Sequence, residues 1–212
     1  MFKNINIFLE KLKEVTENFS ISFEEGLTIL AQNGWYIEEQ SAIIKTIELI
    51  KMIQIGETEK VDLFFKDYYT KKSKSILKRQ IELYPNRAEI IAEAYRAHKL
   101  KMYYASTSLF LSQADGICKG ELFKTRRQKE ALKEFLSSNY PTKSVPHMLK
   151  VLTKENAIDV YHPEKSKFTS QLNRHGVFHG YDTDYGNELN SLKAMSLLAF
   201  VTGFVERYKL RK

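Results

Sequence analysis

The stretch NRAEIIAEAYRAHKLKMYYASTSLFLSQ, residues 86–113, contains neither proline nor glycine. Ile90, Ile91, Ala94, Ala97, Leu100, Met102, Tyr104, Leu109 and Phe110 mark the broad inward face of one long helix. ADG at 114–116 supplies its stop, with Gly116 as a candidate left-handed cap.

The same reading extends outward in both directions. Residues 61–83 form a helix that must end before Pro85. Residues 38–53 form another, broken at IGET. A shorter helix covers 22–32, with Ser22 as N-cap and Glu25 three residues on. NGWYI (33–37) is a turn followed by an aromatic anchor, in which Trp35 and Tyr36 are packing residues. Residues 2–19 place Phe2, Ile5, Phe8, Leu9, Leu12, Val15 and Phe19 at helical spacing.

On the C-terminal side, GICKGELFKTRRQKEALKEFLSS (116–138) holds a short charged helix, and NYPTKSVPHML is a proline-punctuated loop. A further helix starts near Ser166, and a last, largely apolar helix runs from 187 to 208. With only four prolines and little apolar alternation in 212 residues, the fold class is all-α. The weakest seam, Tyr84-Pro85-Asn86, separates an N-terminal helical region (1–85) from a C-terminal bundle (86–212).

Composition narrows the function classes. Hydrophobic residues make up 43% of the chain, enough for a real core. A single cysteine, Cys118, excludes an internal disulfide and any multi-cysteine metal site, and fits a reducing, intracellular setting. The first twenty residues carry too many charges for a signal peptide. No stretch offers the roughly 18 uncharged apolar residues of a membrane span. The expectation is a soluble, cytoplasmic protein without membrane contact. The net charge of +7 is compatible with a polyanionic partner without requiring one.

The chemistry-bearing stretch is FTSQLNRHGVFHGYDTDYG (168–186). It gathers Arg174, His175, His179, Asp182 and Asp184 around Gly176 and Gly180. A solvated polar face accounts for many such clusters. His175 and His179 also have the four-residue spacing of helical zinc ligands, with Asp182 or Asp184 as a third. The zinc-protease pattern would need glutamate after the first histidine, where Gly176 stands.

A metal-free alternative is phosphoryl transfer on RNA. Histidine can take the proton of the ribose 2′-hydroxyl, and histidinium can protonate the leaving oxygen. Arginine can hold the phosphate bidentately and stabilise the charge that develops. Five residues separate Arg174 from His179, about 140° on a regular helix. The long arginine side chain, or unwinding at a glycine, must therefore bring them together. A helix ending at Gly180 would favour protonated His179 through its C-terminal dipole. One motif supplies too few groups for acid and base together, whereas two copies across a dimer would supply both.

NRHGVFHG (173–180) resembles the R-x4-6-H motif of the HEPN superfamily (higher eukaryotes and prokaryotes nucleotide-binding). The continuation YDTDYGNELNSLKAMSLLAFV is similar to a bacterial branch with an "NRHxxxHG...TDYGT..NSLKA" signature. LFLSQADGIC (109–118) and LAQNGWYI (30–37) resemble upstream elements of that branch. Asn187 stands where that pattern has threonine, and is itself a good N-cap.

The resemblance implies an up-and-down helical bundle with additional N-terminal helices. It implies a homodimer with a composite active site and metal-independent endoribonuclease activity, with no cofactor. Products would carry 2′,3′-cyclic phosphate ends. Such proteins often act as toxins or in phage defence, which brings in an antitoxin or regulatory partner. By position, Arg174 is the phosphate-binding residue and His179 the acid/base, with Asn173 and His175 assisting. The rival reading is a non-catalytic module that binds RNA, a nucleotide or a protein on the same fold.

Asp115 either fixes the site from the end of the long helix or merely terminates that helix beside Gly116. Asp182 and Asp184 either orient His179 or cap the last helix. The basic runs KKSKSILKR (71–79) and KTRRQK (124–129) are candidate RNA contacts through Lys71, Lys72, Lys74, Arg126 and Arg127, or else solvated faces. His98 is expected to be exposed among Arg96, Lys99 and Lys101.

Overall fold

A computed structural model describes residues 23–37, 43–118, 151 and 157–209. Among them are seven α-helices and no strand. They are α1 (Phe23–Gln32), α2 (Ile43–Gln54), α3 (Thr58–Leu83), α4 (Ala88–Lys99), α5 (Tyr103–Ile117), α6 (Arg174–Phe178) and α7 (Glu188–Lys209). Short 3-10 segments cover Pro85–Arg87 and His162–Lys167. The fold is an all-α bundle. No described helix is long and apolar enough to cross a membrane. The expected helix over 2–19, the Ser22 cap, and the segments at 119–150 that include Arg126 and Arg127 lie outside the described residues.

α7 is the central element. Every residue from Ser191 to Thr202 is buried, and the helix packs along α5 and α3. Asn187 caps its start by accepting the N–H of Asn190 at 2.9 Å. α3 presents Val61, Phe65, Tyr69, Ile76 and Gln80 inward, a stripe at near-helical spacing that leaves its lysines outside. The buried Gln80 accepts from Tyr95 Oη at 3.0 Å and donates to Thr202 Oγ1 at 3.4 Å. One side chain thereby satisfies polar groups of α4 and α7 in the core.

The NGWYI segment behaves as the sequence suggests. Gly34 takes φ +87°, and a Cβ there would stand 2.6 Å from Ser170 Oγ. Trp35 is fully buried and stacks on Phe65 at 4.8 Å between ring centroids. The N–H of Tyr36 donates to Ser196 Oγ at 3.3 Å. Trp35, Tyr36 and Phe65 share one hydrophobic cluster with Ile91, Phe110 and Leu198, so this core runs through both sides of the Tyr84-Pro85-Asn86 seam.

The long helix expected over 86–113 is two helices. The chain turns at Leu100–Met102, where Lys101 is held at φ +62°. The N–H of Met102 reaches back to Ala97 O at 2.9 Å and that of Lys101 to His98 O at 3.0 Å, closing the end of α4. The break lets α4 fold back against α5. It also places Leu100, Met102 and Tyr104 on the surface, whereas Ile91, Ala94, Ala97 and Phe110 are buried as expected.

Nor does Gly116 end a helix. α5 continues through Ile117, and Gly116 lies within its last turn. The space its Cβ would fill is occupied by the Arg87 guanidinium, 2.5 Å away. Arg87 Nη2 donates to Gly116 O at 2.9 Å and Nη1 to Gln113 Oε1 at 3.0 Å. The glycine makes room for a clamp, which is a packing requirement and not a conformational one.

Candidate functional site

The segment before the motif is not the helix expected from Ser166. Residues 162–167 form a 3-10 turn, and Phe168 and Asn173 are extended. Helix begins only at Arg174, because Asn173 caps it: Asn173 Oδ1 accepts the N–H of Gly176 at 2.7 Å. Asn173 is fully buried. Its amide nitrogen donates to Ala157 O at 2.7 Å and Val160 O at 2.9 Å. The N–H of Arg174 donates to Ile158 O at 3.0 Å. One asparagine thus fixes both the start of α6 and its attachment to residues 157–160.

α6 is a single turn, with Arg174 at its first position and His179 as C-cap. Gly180 follows at φ +74°, the left-handed residue that closes the turn. The N–H of Tyr181 returns to Gly176 O at 2.9 Å and that of Asp182 to the same oxygen at 3.0 Å. One turn aligns few peptide dipoles, so the C-terminal field at His179 is weaker than a long helix would give.

The His175 and His179 rings lie parallel, 5.9 Å between centroids. His179 is exposed, and its ring stands 5.9 Å from that of Tyr181. His175 is half-buried. Burial, and then the charges of Arg174 and His179, push its pKa below the ordinary value. Arg174 Nη2 stands 3.9 Å from Asp115 Oδ2, and its guanidinium carbon 5.9 Å from the Phe178 ring centre. Asp115 is therefore not a helix terminator: it lies in the last turn of α5 and faces Arg174.

The remaining candidates separate. Asp182 is buried and ion-paired with Lys165, tying the loop after α6 to the 162–167 turn. Asn187, not Asp182, caps α7. Asp184 is exposed and lines a different cavity, together with Lys193. Among the described residues, no group of three or more His, Cys, Asp or Glu side chains is placed to hold one metal ion. Lys71, Lys72 and Lys74 are exposed on α3, and Lys71 pairs with Asp67 at 2.7 Å.

Sequence reasoning missed three groups. His98 is half-buried, with Nδ1 2.8 Å from Ser191 Oγ. Arg87 clamps the end of α5. Lys193, on the largely apolar face of α7, is buried beside Asp62 and Trp35. Only the lysine in an otherwise apolar run could have drawn attention to the last. Comparison with protein-family models, curated proteins and solved structures finds no match to this chain.

Proposed function

We propose that this chain is a metal-independent endoribonuclease of the HEPN type, working as a homodimer. The observation that carries the reading is that one capped helical turn holds Arg174 at its start and an exposed His179 at its end, with Asp115 facing the arginine. The fold class and the residues in the R-x4-H positions agree with it.

In this reading Arg174 binds the scissile phosphate through its forked donors. It stabilises the charge that grows on the phosphorus oxygens. His179 exchanges protons with the ribose 2′-hydroxyl or the 5′-leaving oxygen. His175, whose charged form is disfavoured, limits the positive charge that accumulates beside His179. Asn173 positions the turn and does not touch substrate. The second copy supplies the complementary acid or base. Lys71, Lys72 and Lys74 contact the RNA backbone, and a toxin or phage-defence setting with a regulatory partner fits such an activity.

The test is RNA cleavage in EDTA by the parent protein and by His179→Ala. The parent should cut and the variant should not. Equal cleavage by both would refute the assignment, and no cleavage by folded, dimeric parent would favour a binding module.

A further inference from the structure

A cavity of about 230 Å³ opens between the end of α1, the start of α3, the segment before α6 and the first turns of α7. Asn33, Asp62, Gln171, Tyr185 and Lys193 are among its lining residues, while Arg174, His175 and His179 are not. Its volume lies below the usual range for drug-sized ligands and suits a single heterocycle.

Three polar groups in this lining are under-used. Lys193 is 5% exposed. Among the described residues its ammonium, which carries three donors, meets Asp62 Oδ1 at 3.5 Å and the Trp35 ring at 5.5 Å. Asp62 Oδ1 already accepts the Trp35 indole N–H at 2.6 Å, and the Asp62 side chain is 30% exposed. Asn33 donates its amide to Ile29 O at 2.9 Å, but its buried Oδ1 has no partner among the described residues. Of these, Asn33 Oδ1 is the buried acceptor without a partner, a cost that an occupant would remove, while Lys193 and the partly exposed Asp62 keep donor and acceptor capacity that an occupant can use.

The charges restrict that occupant. An anion would face the Asp62 and Asp184 carboxylates and a cation the buried Lys193 ammonium. A neutral molecule with a carbonyl beside N–H donors meets one donor and two acceptors at once. We propose that this cavity binds a guanine base, its keto oxygen accepting from Lys193 and its ring N–H and exocyclic amine donating to Asp62 and Asn33. Tyr185 also lines the cavity, its ring packed edge-on against Tyr104. Burial lowers the Lys193 pKa against the opposing effect of Asp62, consistent with an ammonium that gains from a further acceptor.

The chain's only tryptophan reports on the site, because its indole N–H is bonded to Asp62. The experiment follows the Trp35 indole ¹H–¹⁵N resonance of the full chain on titration with guanosine, 1-methylguanosine and adenosine. A saturable shift with guanosine, at least tenfold weaker with the other two, is expected. No shift with guanosine, or equal affinity for adenosine or 1-methylguanosine, overturns the proposal. Guanosine 5′-monophosphate and a short guanine-bearing RNA distinguish a free nucleotide from an RNA base as the source. Lys193→Met should lose binding and Arg174→Ala should keep it. The analogues carry the test even if Lys193→Met fails to fold. The proposal does not depend on RNA cleavage, so either can fail alone.

Discussion

Arg174 Nη2 stands 3.9 Å from Oδ2 of Asp115, joining the first residue of α6 to the last turn of α5. Each side chain is about a quarter exposed. The pair is therefore a weak contributor to stability, about 1 kcal/mol or less, and under the proposed activity its part is to aim the guanidinium. Arg174→Ala should lower RNA cleavage by about 10²–10³-fold while the melting temperature barely moves. Arg174→Lys should recover only part of the loss, because an ammonium lacks the fork. Asp115→Ala should reduce cleavage when Arg174 is present and have no further effect on the Arg174→Ala background. Independent, additive effects would show that Asp115 does not act through Arg174.

Asn173 should matter for folding first. Asn173→Ala removes three buried hydrogen bonds and should cost about 2–4 kcal/mol in urea unfolding. Asn173→Asp should be as damaging although it preserves the cap, because its second oxygen would face the Ala157 and Val160 carbonyls. An aspartate variant as stable as the parent would contradict this geometry.

Gly116→Ala tests the Arg87 clamp. In an ordinary helix interior the change stabilises by about 1 kcal/mol. Here the new Cβ would meet the flexible end of Arg87, whose guanidinium must shift and give up its bonds to Gln113 and Gly116, so most of that gain should be lost. The gain should return on an Arg87→Ala background, which a double-mutant cycle would measure.

Acid should destabilise the fold through two histidines. His98 is held below its ordinary pKa of 6.5 by burial, with Glu188 opposing, and His175 by burial and its cationic neighbours. Between the lowered folded value and 6.5 the unfolded chain binds more protons, so stability rises with pH in that window and falls on acidification through it. The urea midpoint should drop between about pH 7.5 and pH 5.5, and His98→Gln should flatten the drop. A midpoint rising toward acid pH would contradict the sign.

The parts of the fold legible in the sequence are those governed by local patterning. Pro85 marks the end of α3, Asn187 caps α7, and the GWY run after α1 is buried as its aromatic content suggests. The break at Lys101 was invisible, because neither glycine nor proline marks it and the left-handed turn serves the packing of α4 on α5. Gly116 misleads for the opposite reason: a glycine suggests a cap, yet this one leaves room for the guanidinium of Arg87, which is distant in sequence. At the site, the residue types and the helix end at Gly180 were readable, but the single turn was not, because the Asn173 cap that starts it depends on residues 157–160. The Arg174–Asp115 contact, the burial of Asn173 beneath two carbonyls and the Asp182–Lys165 pair depend on segments that only the fold brings together.

The most direct measurement is the chemistry of the RNA ends. A defined RNA is incubated with the parent protein in EDTA, beside the same strand carrying deoxyribose throughout, and the 3′ termini of the products are mapped. Products with 2′,3′-cyclic phosphate and 5′-hydroxyl ends, and an intact deoxyribose strand, are expected if Arg174 and His179 act on a 2′-hydroxyl nucleophile. Cleavage of both strands, or 3′-hydroxyl and 5′-phosphate ends, would contradict that mechanism.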